Sequence, residues 1–417
     1  MRGPRSFPTQ KPCRCVLGAI SVLAALTTNA CEDPLSRTST VTRTTLGDTL
    51  VVTTDPGPDP GGPLYTVERD LTIGEFDGPE EYVLSASSVS ADEEGRIYVS
   101  GQRAGDIRIF DARGQYLRSF GRRGDGPGEF NSNSWGWFRV RPVAGQRITV
   151  EDLPRLRVFD LEGTYLSSFD LLFVGPQDQR RFARPRGIEW LPERGMVVAR
   201  WSPTLPDGSS GESLVLLDDS LAVLREFPVR EERGGSYDGD GWGLTLPHAP
   251  AYAWALAGNQ ILAWGVSDEY RIDMYDLATG AWTRAVFLLP AEPVTREDIQ
   301  AFKGEFLSRD WVQGQEEVWE PRLNRAVYPE VKPHFASLVG DDQGRIWVER
   351  YAPIPGPAGE EWVRYDLFDS DGRWLGIVDS PGAFEYIRDG YGYRIGGEDF
   401  PRVERYRLVG NDSAGIG

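Results

Sequence analysis

The sequence predicts an all-β fold, a six-bladed β-propeller whose N-terminal strand closes the last blade, with one short helical insertion. Three observations carry this reading. A glycine turn leading into a β-branched or aromatic run, followed by a second apolar run, occurs five times. Repeats near this length mark radial arrays of four-stranded blades. The 48 glycines and 30 prolines among 417 residues exceed ordinary usage, as an architecture of many tight turns requires. With 40% hydrophobic residues and 13 tryptophans the chain has the means to bury a large core, and a closed ring of this size remains one domain.

The first copy sets Asp92-Glu93-Glu94-Gly95-Arg96-Ile97-Tyr98-Val99 before Ile107-Arg108-Ile109-Phe110. The next three pair 144–150 with 156–166, 194–198 with 214–218, and 257–263 with 270–276. The last sets Asp341-Asp342-Gln343-Gly344-Arg345-Ile346-Trp347-Val348 before 365–375. Gly95, Gly145 and Gly195 stand 50 residues apart, and each supplies the positive φ that a short hairpin needs. Gly258 and Gly344 fall later than that spacing, so the third and fourth blades carry long insertions.

Closure needs a sixth blade. Residues 65–73 alternate like a strand, and 384–387, 391–395 and 403–409 supply three more. Pairing the first of these with the last hides both sheet edges. At about 293–331 the β pattern breaks. Thr295-Arg296-Glu297-Asp298 has the form of a capping box, and Ile299, Phe302, Phe306 and Leu307 follow at helical spacing. This predicts a helix over 296–309, with a second short helix possible within 311–331. The insertion reads equally as a lid over the channel end or as a partner-docking element.

Residues 107–130, Ile-Arg-Ile-Phe-Asp-Ala-Arg-Gly-Gln-Tyr-Leu-Arg-Ser-Phe-Gly-Arg-Arg-Gly-Asp-Gly-Pro-Gly-Glu-Phe, resemble the blade signature of bacterial six-bladed β-propeller lipoproteins related to NHL repeats. Lys332-Pro333-His334-Phe335 ahead of Gly344-Arg345-Ile346-Trp347-Val348, and the ending Tyr406-Arg407-Leu408, are similar to the same family. The resemblance spans about 65–409 and implies the fold. It implies no catalytic residues.

The leader has its own pattern. Arg2, Arg5, Lys11 and Arg14 form a basic start, 16–26 is an apolar run, and Thr28-Asn29-Ala30-Cys31 looks like a lipobox. Eleven apolar residues fall short of the ~20 that a membrane-spanning helix needs. Residues 1–30 are therefore expected to be a lipoprotein signal peptide and Cys31 the acylated residue; ordinary cleavage and an uncleaved anchor are the alternatives. Cys13, Cys15 and Cys31 are the only cysteines, so the mature chain has no internal disulfide although it is exported. Residues 31–63, rich in Thr, Ser, Asp, Gly and Pro, read as a flexible tether whose loss leaves the fold intact. The propeller occupies 64–410, and 411–417 is a tail.

A formal net charge of −18, more negative still without the leader cations, argues against nucleic acid as a partner. Of 45 basic residues only Lys11, Lys303 and Lys332 are lysines, which reflects coding bias or guanidinium-based recognition.

Blade order places the chemistry. Loops joining an outer strand to the next inner strand share a face with the second-to-third-strand loops, and on that face fall 121–135, 171–185, 230–250 and 289–333. Both histidines lie there, His248 in Leu246-Pro247-His248-Ala249-Pro250 and His334 after Lys332-Pro333. Imidazole suits zinc or copper, and Asp238, Asp240 or Asp268 would complete the ligand shell. The simpler reading is two hydrogen-bonded histidines beside rigid proline turns. Arg180-Arg181-Phe182-Ala183-Arg184-Pro185-Arg186 offers guanidinium forks for a carboxylate or phosphate, with Arg186 favoured beside the next inner strand; a solvated charged loop explains it as well. Trp135, Trp137, Phe138, Tyr252, Trp254 and Trp242 gather at inner strands or their entrances, as inter-blade packing or as a ligand platform. Asp92-Glu93-Glu94-Gly95, Asp341-Asp342-Gln343-Gly344 and Asp369-Ser370-Asp371-Gly372 imitate calcium loops but sit at recurrent hairpin positions, so they read as turns.

No Gly-x-Ser-x-Gly elbow or phosphate loop is present. The expected function is a lipid-anchored binding or scaffold module facing the periplasm or cell exterior, for an unknown protein or small-molecule ligand and without a cofactor. Its membrane partner is reached through Cys31, and Arg186, Trp137, Tyr252, Trp254, His248 and His334 are the candidate ligand contacts. The alternative is a metal-dependent hydrolase or lyase, similar to propeller lactonases, with His248, His334, Asp238 and Asp240 as ligands at the channel mouth.

Overall fold

The computed structural model describes residues 39–58, 61–101, 105–124, 126–130, 138–153, 155–170, 187–201, 211–231, 236–237, 244–357, 360–397 and 399–411. Six antiparallel sheets form the blades of a propeller. Their inner strands are Ala86–Ala91, Arg139–Val143, Ile188–Leu191, Tyr252–Ala257, Phe335–Gly340 and Tyr386–Arg388. They are numbered blades 1 to 6 in this order, and the repeat copies fall in blades 1 to 5. The five repeat copies are the second and third strands of those blades, such as Ile97–Gly101 with Asp106–Phe110 and Ile346–Arg350 with Glu361–Phe368.

Burial follows position in the blade. Ile97–Gly101, a second strand, is buried throughout, whereas the outer strand Tyr116–Phe120 alternates between half-buried and exposed. A strand covered on both faces by neighbouring blades reads as a continuous apolar run, and one at the rim shows alternation. The core accordingly lies between blades. Val99 and Phe110 of blade 1 pack with Tyr393 and Val403 of blade 6, and Ala257 and Ile272 of blade 4 pack with Val348 and Phe368 of blade 5.

The acidic repeats are turns. Asp111, Asp218 and Asp369 open the third-to-fourth-strand turns, and each Oδ1 accepts backbone N–H groups two and four residues on, at 2.8–3.0 Å. Asp160 and Asp276 cap the corresponding turns of blades 2 and 4. An oxygen occupied in this way belongs to an Asx-turn rather than to a metal loop.

The ring closes as the alternation implied. Strand β3 (Tyr65–Ile73), following β1 (Thr40–Leu46) and β2 (Thr49–Asp55), is the outermost strand of blade 6 and pairs antiparallel with Arg402–Gly410, from Tyr65 opposite Gly410 to Ile73 opposite Val403.

The tether expected over 31–63 is not what the structure holds in its described part. β1 and β2 form a hairpin, and β2 adds in parallel to the outer strand of blade 4, Thr49 opposite Trp282 through Thr54 opposite Phe287. Val52 is 0% exposed. Leu64 then donates its N–H to the Ile377 carbonyl of blade 5 at 2.8 Å, before β3 enters blade 6. The N-terminal segment is thus a strap over three consecutive blades. Threonine-rich composition suggested a solvated linker because the exposed face of an edge hairpin is polar too.

The insertion between blades 4 and 5 holds helix α1 (Arg296–Ser308) and helix α2 (Glu316–Arg325). The capping box is formed in full: Asp298 N–H donates to Thr295 Oγ1 at 3.1 Å and Thr295 N–H to Asp298 Oδ2 at 2.8 Å. Phe306, Val312, Trp319 and Leu323 pack against Leu246 from the connection between blades 3 and 4. Neither helix is long and apolar enough to cross a membrane.

Candidate functional site

The inner strands of blades 2 to 6 surround a cavity of about 350 Å³ lined by Arg139, Arg141, Glu189, Trp254, Tyr386 and Arg388, with Glu385 beside them. Its lining continues to Glu93, Asn259, Asp341 and Asp342, which lie in or beside first-to-second-strand turns. It therefore lies toward the face opposite the one on which the sequence placed the ligand mouth. Of the four loops assigned to that mouth, 289–333 carries the helices, and much of the other three lies outside the described residues.

The cavity is polar because Arg139-Val140-Arg141 alternates along an inner strand. Val140 is buried in the core against Phe138 and Ile148, which turns both arginines toward the channel. Arg139 forks onto Glu151 Oε2, Nη2 at 2.8 Å and Nε at 3.0 Å, with Glu189 at 3.6 Å. Burial works against its charge, but Glu151 and Glu189 outweigh burial and its pKa is raised. Arg141 stands differently. Its Nη1 donates to the carbonyls of Val89 and Val140 at 3.2 Å, Nη2 reaches the Glu385 carbonyl at 3.5 Å, and its guanidinium lies 5.0 Å from the centre of the Tyr386 ring. Among the described residues its one ion pair is with Glu189, at 3.9 Å. Burial and then the neighbouring Arg139 lower its pKa. Burial pushes the Glu385 carboxyl up. At the rim Arg388 pairs with Glu93 at 3.0 Å. A cation short of a close carboxylate, beside a carboxylate held back by burial, is an arrangement that receives a ligand with charges of both signs.

Of the candidate ligand contacts, Trp254 lines this cavity. Tyr252 does not: it sits in the core between blades 3 and 4 with Leu191, Val198 and Trp264, under the guanidinium of Arg200. Trp137, Arg186, Asp238, Asp240 and Cys31 lie outside the described residues.

The histidines meet through a tyrosine. His248, at φ 57°, shares a 2.8 Å hydrogen bond between its Nδ1 and the Tyr351 hydroxyl, and Tyr351 N–H donates to the His334 carbonyl at 3.3 Å. Burial lowers the pKa of both imidazoles. Among the described residues no group of three His, Cys, Asp or Glu is placed to hold a metal ion.

Arg139, Arg141, Glu189, Glu385 and Tyr386 were not singled out by sequence reading. The available signal was Arg139-Val140-Arg141, charges at alternate positions of an inner strand, where blade 1 carries Ser88-Val89-Ser90.

No protein-family model matches the chain, and no curated protein matches it. Solved structures do. A member of the DUF4221 family from Bacteroides vulgatus aligns with 13% identity over 83% of this chain and 99% of its own, with a TM-score of 0.49. A luciferin-regenerating enzyme aligns with 14% identity over 83% and 97% (TM-score 0.40), and virginiamycin B lyase from Staphylococcus aureus with 10% identity over 83% and 100% (TM-score 0.38). Propeller proteins of such different activities add nothing to what the sheet topology already shows, and no reaction transfers from them.

Proposed function

We propose that this protein is a binding propeller whose channel cavity takes a small zwitterion, an amino acid or short peptide, with its carboxylate on Arg141 and its ammonium toward Glu189 and Glu385. The supporting observation is Arg141, a half-buried guanidinium held by carbonyls and an aromatic ring, whose one ion pair among the described residues is at 3.9 Å. A cavity of about 350 Å³ falls at the small-ligand end of binding pockets. Thermal-shift and calorimetric titration with amino acids and di- and tripeptides tests this. At least one should bind saturably, and Arg141→Leu should weaken it by tenfold or more, the loss expected for a charge-assisted hydrogen bond. Absence of binding by any of them, or equal binding by the variant, overturns the assignment.

The lipoprotein reading accompanies this proposal. Eight residues separate Cys31 from Thr40, so an acylated Cys31 would hold the start of β1 within about 30 Å of the bilayer. The strap thereby shortens the expected tether. Cys31→Ser should move the protein out of the membrane fraction of the expressing cell; unchanged partitioning rules out this anchor and leaves the channel proposal untouched.

A further inference from the structure

At the junction of blades 3 and 4, away from the channel cavity, four arginines converge on one end of the ring. Arg200 comes from the second strand of blade 3, Arg230 from the segment leaving that blade, and Arg271 and Arg284 from the third and outer strands of blade 4. Asp273, 5% exposed, accepts Arg284 Nε at 2.5 Å and Arg230 Nη2 at 3.0 Å, with Arg271 Nε at 3.9 Å. Arg271 also pairs with Glu269 at 2.6 Å, and Arg200 with Glu212 at 2.9 Å. Four guanidiniums thus face three carboxylates among the described residues, in a chain whose net charge is −18. The crowding of like charges registers on Arg271, whose pKa is lowered first by burial and then by Arg230. Between a fifth and a third of each of these four side chains remains accessible.

A second observation is independent of the charges. The Tyr252 hydroxyl, on a residue 7% exposed, has no hydrogen-bond partner among the described residues. It stands among Arg200, Glu212, Arg230 and Asp273, whose charges all act on it, with the Arg200 guanidinium 5.2 Å from its ring centre. Buried polar groups in folded proteins almost always find a partner, so a lone hydroxyl requires a reason. A phenolic O–H donor beside guanidinium N–H groups complements an oxyanion. We infer that the junction of blades 3 and 4 is a site for a small oxyanion, a carboxylate or a phosphate, that accepts from Tyr252 and from the accessible edges of Arg230 and Arg271.

The two anion chemistries are separated by titrating the full chain calorimetrically at low ionic strength with inorganic phosphate and, separately, with citrate. Saturable binding of one or both is expected. Arg271→Gln should weaken it by tenfold or more. Tyr252→Phe should weaken it severalfold while leaving the melting temperature without ligand equal or higher, since an unpartnered buried hydroxyl contributes nothing to the fold. That combination distinguishes a ligand contact from a packing residue. Arg407→Gln, at the exposed ion pair with Glu68 on blade 6, should leave both titrations unchanged. No saturable binding to the wild-type protein, or binding unaltered by Tyr252→Phe and Arg271→Gln, overturns the inference.

Discussion

Asp341 carries four interactions on two oxygens. Its Oδ1 accepts the N–H groups of Gln343 and Arg345 at 3.0 and 2.9 Å, and Oδ2 takes Arg345 Nε at 2.6 Å and Trp347 Nε1 at 2.9 Å. Asp92 repeats the arrangement with Glu94, Arg96 and the Tyr98 hydroxyl. The repeat Asp-x-x-Gly-Arg-Ile-(Tyr/Trp)-Val is therefore one unit: the Asp closes the turn and also fixes the Arg and the aromatic that follow. The histidines give a test at this scale. Burial disfavours their imidazolium forms, so the folded pKa of each lies below its ordinary value. Stability from the neutral rings is present above the ordinary histidine range and is lost as pH falls through the depressed folded values. Melting temperature should then fall more steeply between about pH 7.5 and about pH 5 in the wild type than in His248→Gln/His334→Gln. Glu349 and Glu385, whose raised pKa acts with the opposite sign, are common to both proteins and cancel in the difference. Parallel pH profiles would show that the imidazoles titrate freely.

Among the elements, the strap separates what composition reveals from what pairing decides. The helix over 296–309 was legible because a capping box and an apolar face are local signals, and α1 ends within one residue of that expectation. The β1–β2 hairpin was not. Its Thr-Val alternation about Gly47-Asp48 fits a strand pair as well as a solvated linker, and the choice depends on the free edge of blade 4, more than 200 residues away. Deleting 39–55 uncovers that edge and removes Val52, which is 0% exposed, for a loss of at least about 2 kcal/mol. A loss of that size should lower the melting temperature by several degrees. Identical melting of the shortened and full chains would mean that the hairpin rests on the ring without stabilising it.

At the scale of the whole molecule, the repeats specified the number of blades and the closing strand, because glycine and aspartate turns recur at positions that only a ring explains. The interior of the channel was harder to read. Whether Arg139 and Arg141 face a neighbouring blade or the axis depends on how the sheets are set around that axis, and no single blade encodes this. The Arg200–Arg230–Arg271–Arg284 cluster was hidden for the same reason: its members come from separate segments of two blades, spread over 85 residues of sequence.

The strap also imposes an order in time. β2 finds its partner at Trp282–Phe287 and β3 at Arg402–Gly410, so β2 waits for blade 4 and β3 for the third strand of blade 6. Until residues 402–410 arrive, β3 has nothing to pair with, and blade 6 lacks both its third strand and its rim. Loop-closure entropy for the β3 contact is met only once residues 402–410 are made, which makes closure the slow event and leaves unpaired strand edges until then. A chain stopped short of residue 402 would hold five blades and an unattached β3, an open ring prone to self-association. Synthesis of residues 402–410 is thus built into the architecture as the condition for a locked fold.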